Sequence, residues 1–266
     1  MYRFKDECDE QGPSTSLAYG VRNGGILQLG ESSRKPKTLP FEGRRDAARI
    51  DAQYPDLSKD RRDEVLRVVV RSMDEMVYID GGTFEMGDFG WKCDFDPAEV
   101  CTWPCGAPED SLCNITMMGD APLHTVELSS YHLAAKKTTL GDFDLYRSVK
   151  GLPPVRSDLR DRERLKHLFD PMNPAPIRKW QEAKDYCQWV GELSGYPVDL
   201  PTEAQWEYAA RSGGEKVLYP TNDGSLKLGV NYAKAGGKML TERVDAYPPQ
   251  SPWALCYVGY CHGGGE

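Results

Sequence analysis

The stretch Leu200-Pro201-Thr202-Glu203-Ala204-Gln205-Trp206-Glu207-Tyr208-Ala209-Ala210-Arg211 contains its own helix start. The Thr202 hydroxyl is placed to accept the third helical N–H, and Gln205 is placed to reach back to the Thr202 N–H, a capping box. Trp206, Ala209 and Ala210 then fall on an inward face. Glu203, Glu207 and Arg211 recur every four residues, which predicts ion pairs along the helix rather than an acid/base pair.

Working upstream, Trp180, Ala183, Cys187, Val190 and Leu193 recur at three- and four-residue spacing and predict a helix over 179–193, with Cys187 as a buried thiol. Thr139 is set to cap a short helix that carries Phe143, Tyr146 and Val149 on one face. Leu123 to Leu133 reads as a strand, and His124 and His132, eight residues apart, then share a face as surface or packing groups. Val77-Tyr78-Ile79 and Thr83-Phe84-Glu85-Met86 read as two short strands around the turn Asp80-Gly81-Gly82. Ser58 is placed to cap a helix reaching Met73, with Val65, Leu66, Val69, Val70 and Met73 as its stripe. The predicted organisation is an extended N-terminal segment over 1–57, a packing helix over 58–75 and one domain over 76–266. The class is α+β with many long loops.

Charge excludes some partners. The 266 residues carry a formal charge of −8, all of it beyond residue 75. A basic footprint for nucleic acid is missing, and no run approaches the roughly 18 apolar residues of a membrane span. Acid and sulfur concentrate together between Trp91 and Ala121, where six acids face one lysine. Cys93, Cys101, Cys105 and Cys113 in this loop read as two disulfides, with buried thiols or a metal as alternatives. Disulfides imply an oxidising setting, periplasmic or secreted, with any leader lying before Met1.

The segment 200–211 resembles the signature of the formylglycine-generating enzymes, or sulfatase-modifying factors. Met76 to Gly87, Pro122 to Leu133, Asn173 to Trp189 and Val244 to Leu255 resemble further family segments in the same order, including its first hairpin. The resemblance implies a C-type-lectin-like fold with little regular secondary structure. It also implies that Cys256 and Cys261, spaced i, i+5, match the pair that holds copper(I) in the family's oxidases, since soft thiolates suit that ion. Asn231 resembles a family asparagine at a calcium site, with Asp223 a candidate oxygen ligand near it; from the residues alone Asn231 reads first as a loop asparagine satisfying turn backbone. The surroundings of Cys256 depart from the family. The pair follows Leu255 directly, where the oxidases place a tryptophan-rich segment and several more loops, so the C-terminal end reads as incomplete. The pair itself reads first as a disulfide or as thiols with no role, with a copper site or an ending foreign to the family as alternatives.

The expectation drawn is a non-catalytic, exported protein with no resident cofactor, which binds and regulates a protein partner through the insertion 91–121. Met86-Gly87-Asp88-Phe89-Gly90 resembles family members that regulate type VI secretion, which makes the periplasmic sensor domain of a membrane kinase the expected partner. The alternative is a copper-dependent oxidase that converts a sulfatase cysteine to formylglycine. A third class, calcium-dependent glycan binding, rests on the fold and Asn231 alone.

Overall fold

A computed structural model describes residues 3–4, 43–115, 122–221, 223–231 and 242–247. The elements run β1 (Arg3–Phe4), α1 (Gly43–Gln53), α2 (Lys59–Asp74), β2 (Met76–Ile79), β3 (Gly82–Met86), β4 (His124–Leu128) and β5 (Tyr131–Ala134). They continue with α3 (Leu140–Val149), α4 (Ser157–Arg160), α5 (Trp180–Ser194), β6 (Val198–Asp199) and α6 (Glu203–Ala210). Short 3-10 turns cover Glu109–Ser111 and Glu163–Phe169. This is the α+β architecture with long loops that the periodicity predicts.

The helices form where the sequence places them, because their signals are local. Ser58 accepts the Arg61 N–H, Thr139 the Asp142 N–H and Thr202 the Gln205 N–H. On α2 the fully buried face is Val65, Val68, Val69 and Met73, so Val68 takes a place the predicted stripe gave to Leu66 and Val70. Trp180 is corrected outright. It stands in the first turn of α5, 63% exposed, with the Lys184 ammonium 5.1 Å over its ring.

Part of the predicted extended segment 1–57 is also corrected, since residues 43–53 are helical. Only Ile50 of α1 is deeply buried as an apolar group, and polar ties hold the rest. Arg49 donates to the Ser194 carbonyl at 2.8 Å and pairs with Asp46 at 2.9 Å, while Arg62 of α2 pairs with Asp51 at 2.7 Å. Behind them lies an aromatic cluster of Phe143, Tyr146, Tyr186 and Trp189, ring centroids 5.3–5.6 Å apart. The Trp189 indole N–H donates to the Tyr54 hydroxyl at 2.9 Å, joining the cluster to the chain after α1.

The strands differ most from expectation. β2 and β3 form no hairpin: β2 pairs antiparallel with β5 and β3 with β4. One register runs through both pairings, from Met76 opposite Ala134 to Met86 opposite His124. The two chain segments are thus one ribbon, interrupted where Asp80-Gly81 passes Ser129-Ser130. Gly81 is required there, because a Cβ would lie 2.2 Å from the Leu128 carbonyl oxygen, and its N–H is taken by the Ser130 hydroxyl at 3.1 Å. The break divides the ribbon between a four-stranded sheet ordered β2-β5-β1-β6 and the two-stranded sheet β3-β4. It also separates the histidines. His124 is exposed on β4, whereas His132 is buried on β5 with its ring 5.3 Å from Tyr78.

Trp189→Ala empties the centre of the aromatic cluster. It should cost about 3–5 kcal/mol of unfolding free energy in a guanidinium titration.

Candidate functional site

The site is built on α6. The capping box closes as read, with the Thr202 N–H donating to Gln205 Oε1 at 2.9 Å and the Gln205 N–H to Thr202 Oγ1 at 3.3 Å. Tyr131 of β5 donates its hydroxyl to the Gln205 carbonyl at 2.5 Å, which seats the helix against the sheet. At the other end Arg211, 7% exposed, is engaged on all three nitrogens. Nε donates to the Glu215 carbonyl at 2.9 Å, Nη2 to the Gly214 carbonyl at 3.0 Å, and Nη1 to the Glu85 carbonyl at 2.8 Å and Glu207 Oε1 at 2.6 Å. Its guanidinium also lies 4.6 Å from the Phe89 ring centroid and 5.6 Å from that of Phe84. Gly214, at φ +84°, could carry no Cβ, since the atom would meet Phe84 Cβ at 2.3 Å. Glu207 Oε1 accepts the Gly87 N–H at 3.0 Å as well, so the pair fixes the point where the chain leaves β3. Glu203 is exposed and takes no part.

The insertion begins at that point. Both oxygens of Asp88 accept the Ile115 N–H, at 3.1 and 2.9 Å, and Oδ1 also accepts the Gly90 N–H at 2.9 Å, so one carboxylate ties the outgoing strand to the returning one. Trp91 and Cys113 exchange both backbone hydrogen bonds, at 2.9 and 2.8 Å. Beside that bridge the Cys93–Cys113 disulfide holds the two Cα atoms 5.1 Å apart, and Cys101–Cys105 closes a smaller ring farther out. Within the smaller ring, Trp103 donates its indole N–H to the Gly90 carbonyl at 3.0 Å and lies under the Lys216 ammonium at 3.4 Å. The Leu226 N–H donates to the Pro97 carbonyl at 2.7 Å, a second tether onto the domain. The described part of this irregular, acidic loop, residues 91–115, is thus tied at several points along its length. Its outer face exposes Asp94, Phe95, Asp96, Val100, Glu109 and Asp110.

A cavity of about 250 Å³ opens between the two feet of the insertion and α6. Phe89, Ile115, Trp206, Val217 and Leu218 line it together with the charged Asp88, Glu207 and Arg211.

Asn231 and Asp223 do come together in one loop, but as its internal scaffold. The Asn231 amide donates to the Ser225 carbonyl at 2.9 Å and accepts the Lys227 N–H at 2.7 Å. Asp223 accepts the Ser225 hydroxyl and N–H at 2.6 and 3.1 Å, and the Lys227 ammonium at 2.6 Å. A lysine on the one carboxylate and backbone groups on both ends of the amide leave a donor set that does not fit calcium, which takes six to eight oxygens. Among the described residues no three His, Cys, Asp or Glu side chains stand together as a metal site. Cys256 and Cys261 lie outside the described residues. Cys187 is a buried free thiol, pushed up to about 12 by that burial. Among the described residues no helix is long and apolar enough to cross a membrane.

Cap, buried helix, sheet and tethered loop together define an α+β scaffold that presents one fixed insertion. The family description "sulfatase-modifying factor enzyme 1-like domain" matches residues 62–256, more than half of the chain, and the chain belongs to that family. A stretch of 104 residues is 33% identical to the formylglycine-generating enzyme of Bos taurus, covering 35% of this chain and 26% of that protein. The inactive Cα-formylglycine-generating enzyme 2 of the same animal is also 33% identical, over 85 residues, covering 29% and 26%. The serine/threonine-protein kinase pkn1 of Chlamydia pneumoniae is 26% identical over 193 residues, covering 68% of this chain and 25% of the kinase. The chain thus matches about a quarter of the length of each. Equal identity to an active and an inactive relative leaves the choice of function to the site itself.

Two measurements check these assignments. Replacing both Cys93 and Cys113 by serine should cost the closed insertion about 3 kcal/mol, and replacing Cys101 and Cys105 about 2 kcal/mol, from the lengths of the loops they close. The first change should then speed hydrogen exchange at the Trp91 amide about a hundredfold. Lys227 first, then Ser225, depress the Asp223 carboxyl to about 2 from its ordinary 3.8. Its contribution to loop stability is complete above the ordinary value and lost as pH falls through about 2. Hydrogen exchange in residues 223–231 should rise over that window, and Asp223→Asn should remove the pH dependence.

Proposed function

We propose that this chain is a non-catalytic, regulatory member of its family that binds a protein partner through the insertion 91–121. The observation that supports this most is the fastening of residues 91–115, acidic and solvent-facing, by two disulfides, a carboxylate clasp, the Trp103 indole bond to the Gly90 carbonyl and the Leu226–Pro97 tether. Recognition surfaces are commonly loops held on a rigid scaffold, and a loop ordered beforehand loses less entropy on binding. The disulfides support an oxidising compartment, periplasmic or extracellular. The similarity to a protein named as a serine/threonine kinase supports a place in kinase signalling, with the periplasmic sensor domain of a membrane kinase in type VI secretion as the partner. The reading needs no resident copper or calcium.

The i, i+5 spacing of Cys256 and Cys261 favours one competing reading, a copper(I) oxidase acting on a sulfatase cysteine. The two readings part in one pair of experiments. Copper(I) titrated against a strong chelator should not be retained, and a cysteine-containing sulfatase peptide should come back unoxidised. Deleting residues 92–112 should abolish partner capture while the thermal midpoint of the domain stays within a few degrees. Peptide oxidation lost in Cys256→Ser would establish the enzyme instead, and partner affinity unchanged by the deletion would sink the regulator.

A further inference from the structure

We infer that the cavity at the neck of the insertion is a docking pocket for one bulky aliphatic side chain, carried on a basic peptide segment of the partner. This rests on the partner-binding reading above and names the chemistry of what is bound. Size decides the first half of the assignment. At about 250 Å³ the cavity is smaller than the ~300–1,000 Å³ of pockets that enclose whole small ligands. It is the scale of an anchor residue, the kind of group that dominates protein–peptide affinity when it is desolvated in a pocket. Its walls are side chains of Phe89, Ile115, Trp206, Val217 and Leu218, which reward an apolar occupant. The charged side chains that line it are already engaged, because Glu207 and Arg211 bond each other and the backbone around them, and Asp88 accepts the Gly90 and Ile115 N–H groups.

Charge decides the second half. Phe89 and Ile115 belong to the two feet of the insertion, so a segment anchored between them runs beside that loop. Asp94, Asp96, Glu109 and Asp110 on the insertion are all exposed, and among the described residues none has a basic partner. Cations on or against the loop and the cavity are engaged elsewhere: Lys92 pairs with Glu99, Lys216 covers Trp103, Lys227 pairs with Asp223, and Arg211 is in its buried network. Four exposed carboxylates on the loop that springs from the cavity's two feet favour a partner strand with lysine or arginine beside its anchor. They disfavour an acidic one by like-charge repulsion. Phe95 and Val100, 39% and 59% exposed, extend the apolar contact along the same loop.

The test uses fluorescence anisotropy on the whole protein with three labelled hexapeptides. One is Lys-Lys-Arg-Leu-Lys-Arg, the second has glycine in place of leucine, and the third has glutamate at every basic position. The leucine-centred basic peptide should bind at least tenfold tighter than either control and should weaken as salt rises from 50 to 500 mM. Leu218→Trp and Ala210→Met, both at residues that line the cavity, should each erase the advantage of leucine over glycine, with circular dichroism melts reporting that the fold is kept. The double variant Asp94→Lys, Asp110→Lys should lower affinity about tenfold and flatten the salt dependence. Equal binding of the glycine or the glutamate peptide, no binding at millimolar concentration, or a self-association that Leu218→Trp abolishes would each overturn the assignment. Partner capture that survives Leu218→Trp defeats the pocket alone. Capture that survives deletion of 92–112 defeats the reading beneath it.

Discussion

The contact between Arg211 and Glu207 is the constraint on which the rest of the described site depends. A buried ion pair is weak support for stability, because desolvation of both charges offsets much of their attraction. Its worth here is positional. A guanidinium is a flat fork with fixed donor directions, so three backbone carbonyls and one carboxylate oxygen must converge on it to take four of its five N–H groups. Those groups come from the end of β3, the turn after α6 and α6 itself. The same carboxylate oxygen receives Gly87, and one residue later Asp88 gathers both feet of the insertion. The placement of the described part of the insertion, residues 91–115, is in this way handed down from a single side chain through two consecutive positions.

Much of this was legible in the sequence wherever the signal is short-range. Caps at Ser58, Thr139 and Thr202 are read from residues three positions apart, and they hold. The Glu207–Arg211 pair is legible from its spacing, but the carbonyls of Glu85 and Gly214 that complete it are not, because no periodicity points at a backbone oxygen across the fold. The glycine turn at Asp80-Gly81-Gly82 misled for a related reason. Glycine marks both reversals and close approaches, and here the missing Cβ makes room for Leu128 while the strand runs on. Helix α1 was invisible because Gly43 to Gln53 has no apolar stripe, and it is held by Asp46, Arg49 and Asp51 instead. Trp180 had the right spacing for the core but sits in the first turn, outside the region its helix buries.

The insertion shows how cysteine counting and structure divide the work. Four cysteines allow three pairings, and composition does not choose among them. The bridge between Trp91 and Cys113 brings Cys93 and Cys113 side by side and leaves Cys101 for Cys105. Family membership likewise fixes the scaffold while leaving chemistry open, since both an active and an inactive enzyme are similar to it to the same degree.

The closed neck has a consequence for how such a protein diversifies. With its two ends clasped 5.1 Å apart, the loop beyond is a cassette whose length the domain scarcely senses, for doubling a flexible loop adds only about 0.6 kcal/mol of closure entropy. Foreign sequence set between Cys93 and Cys113 would inherit the same mounting at the neck, though not the ties that Pro97 and Trp103 make. Selection can therefore rewrite what the protein recognises without renegotiating how it folds.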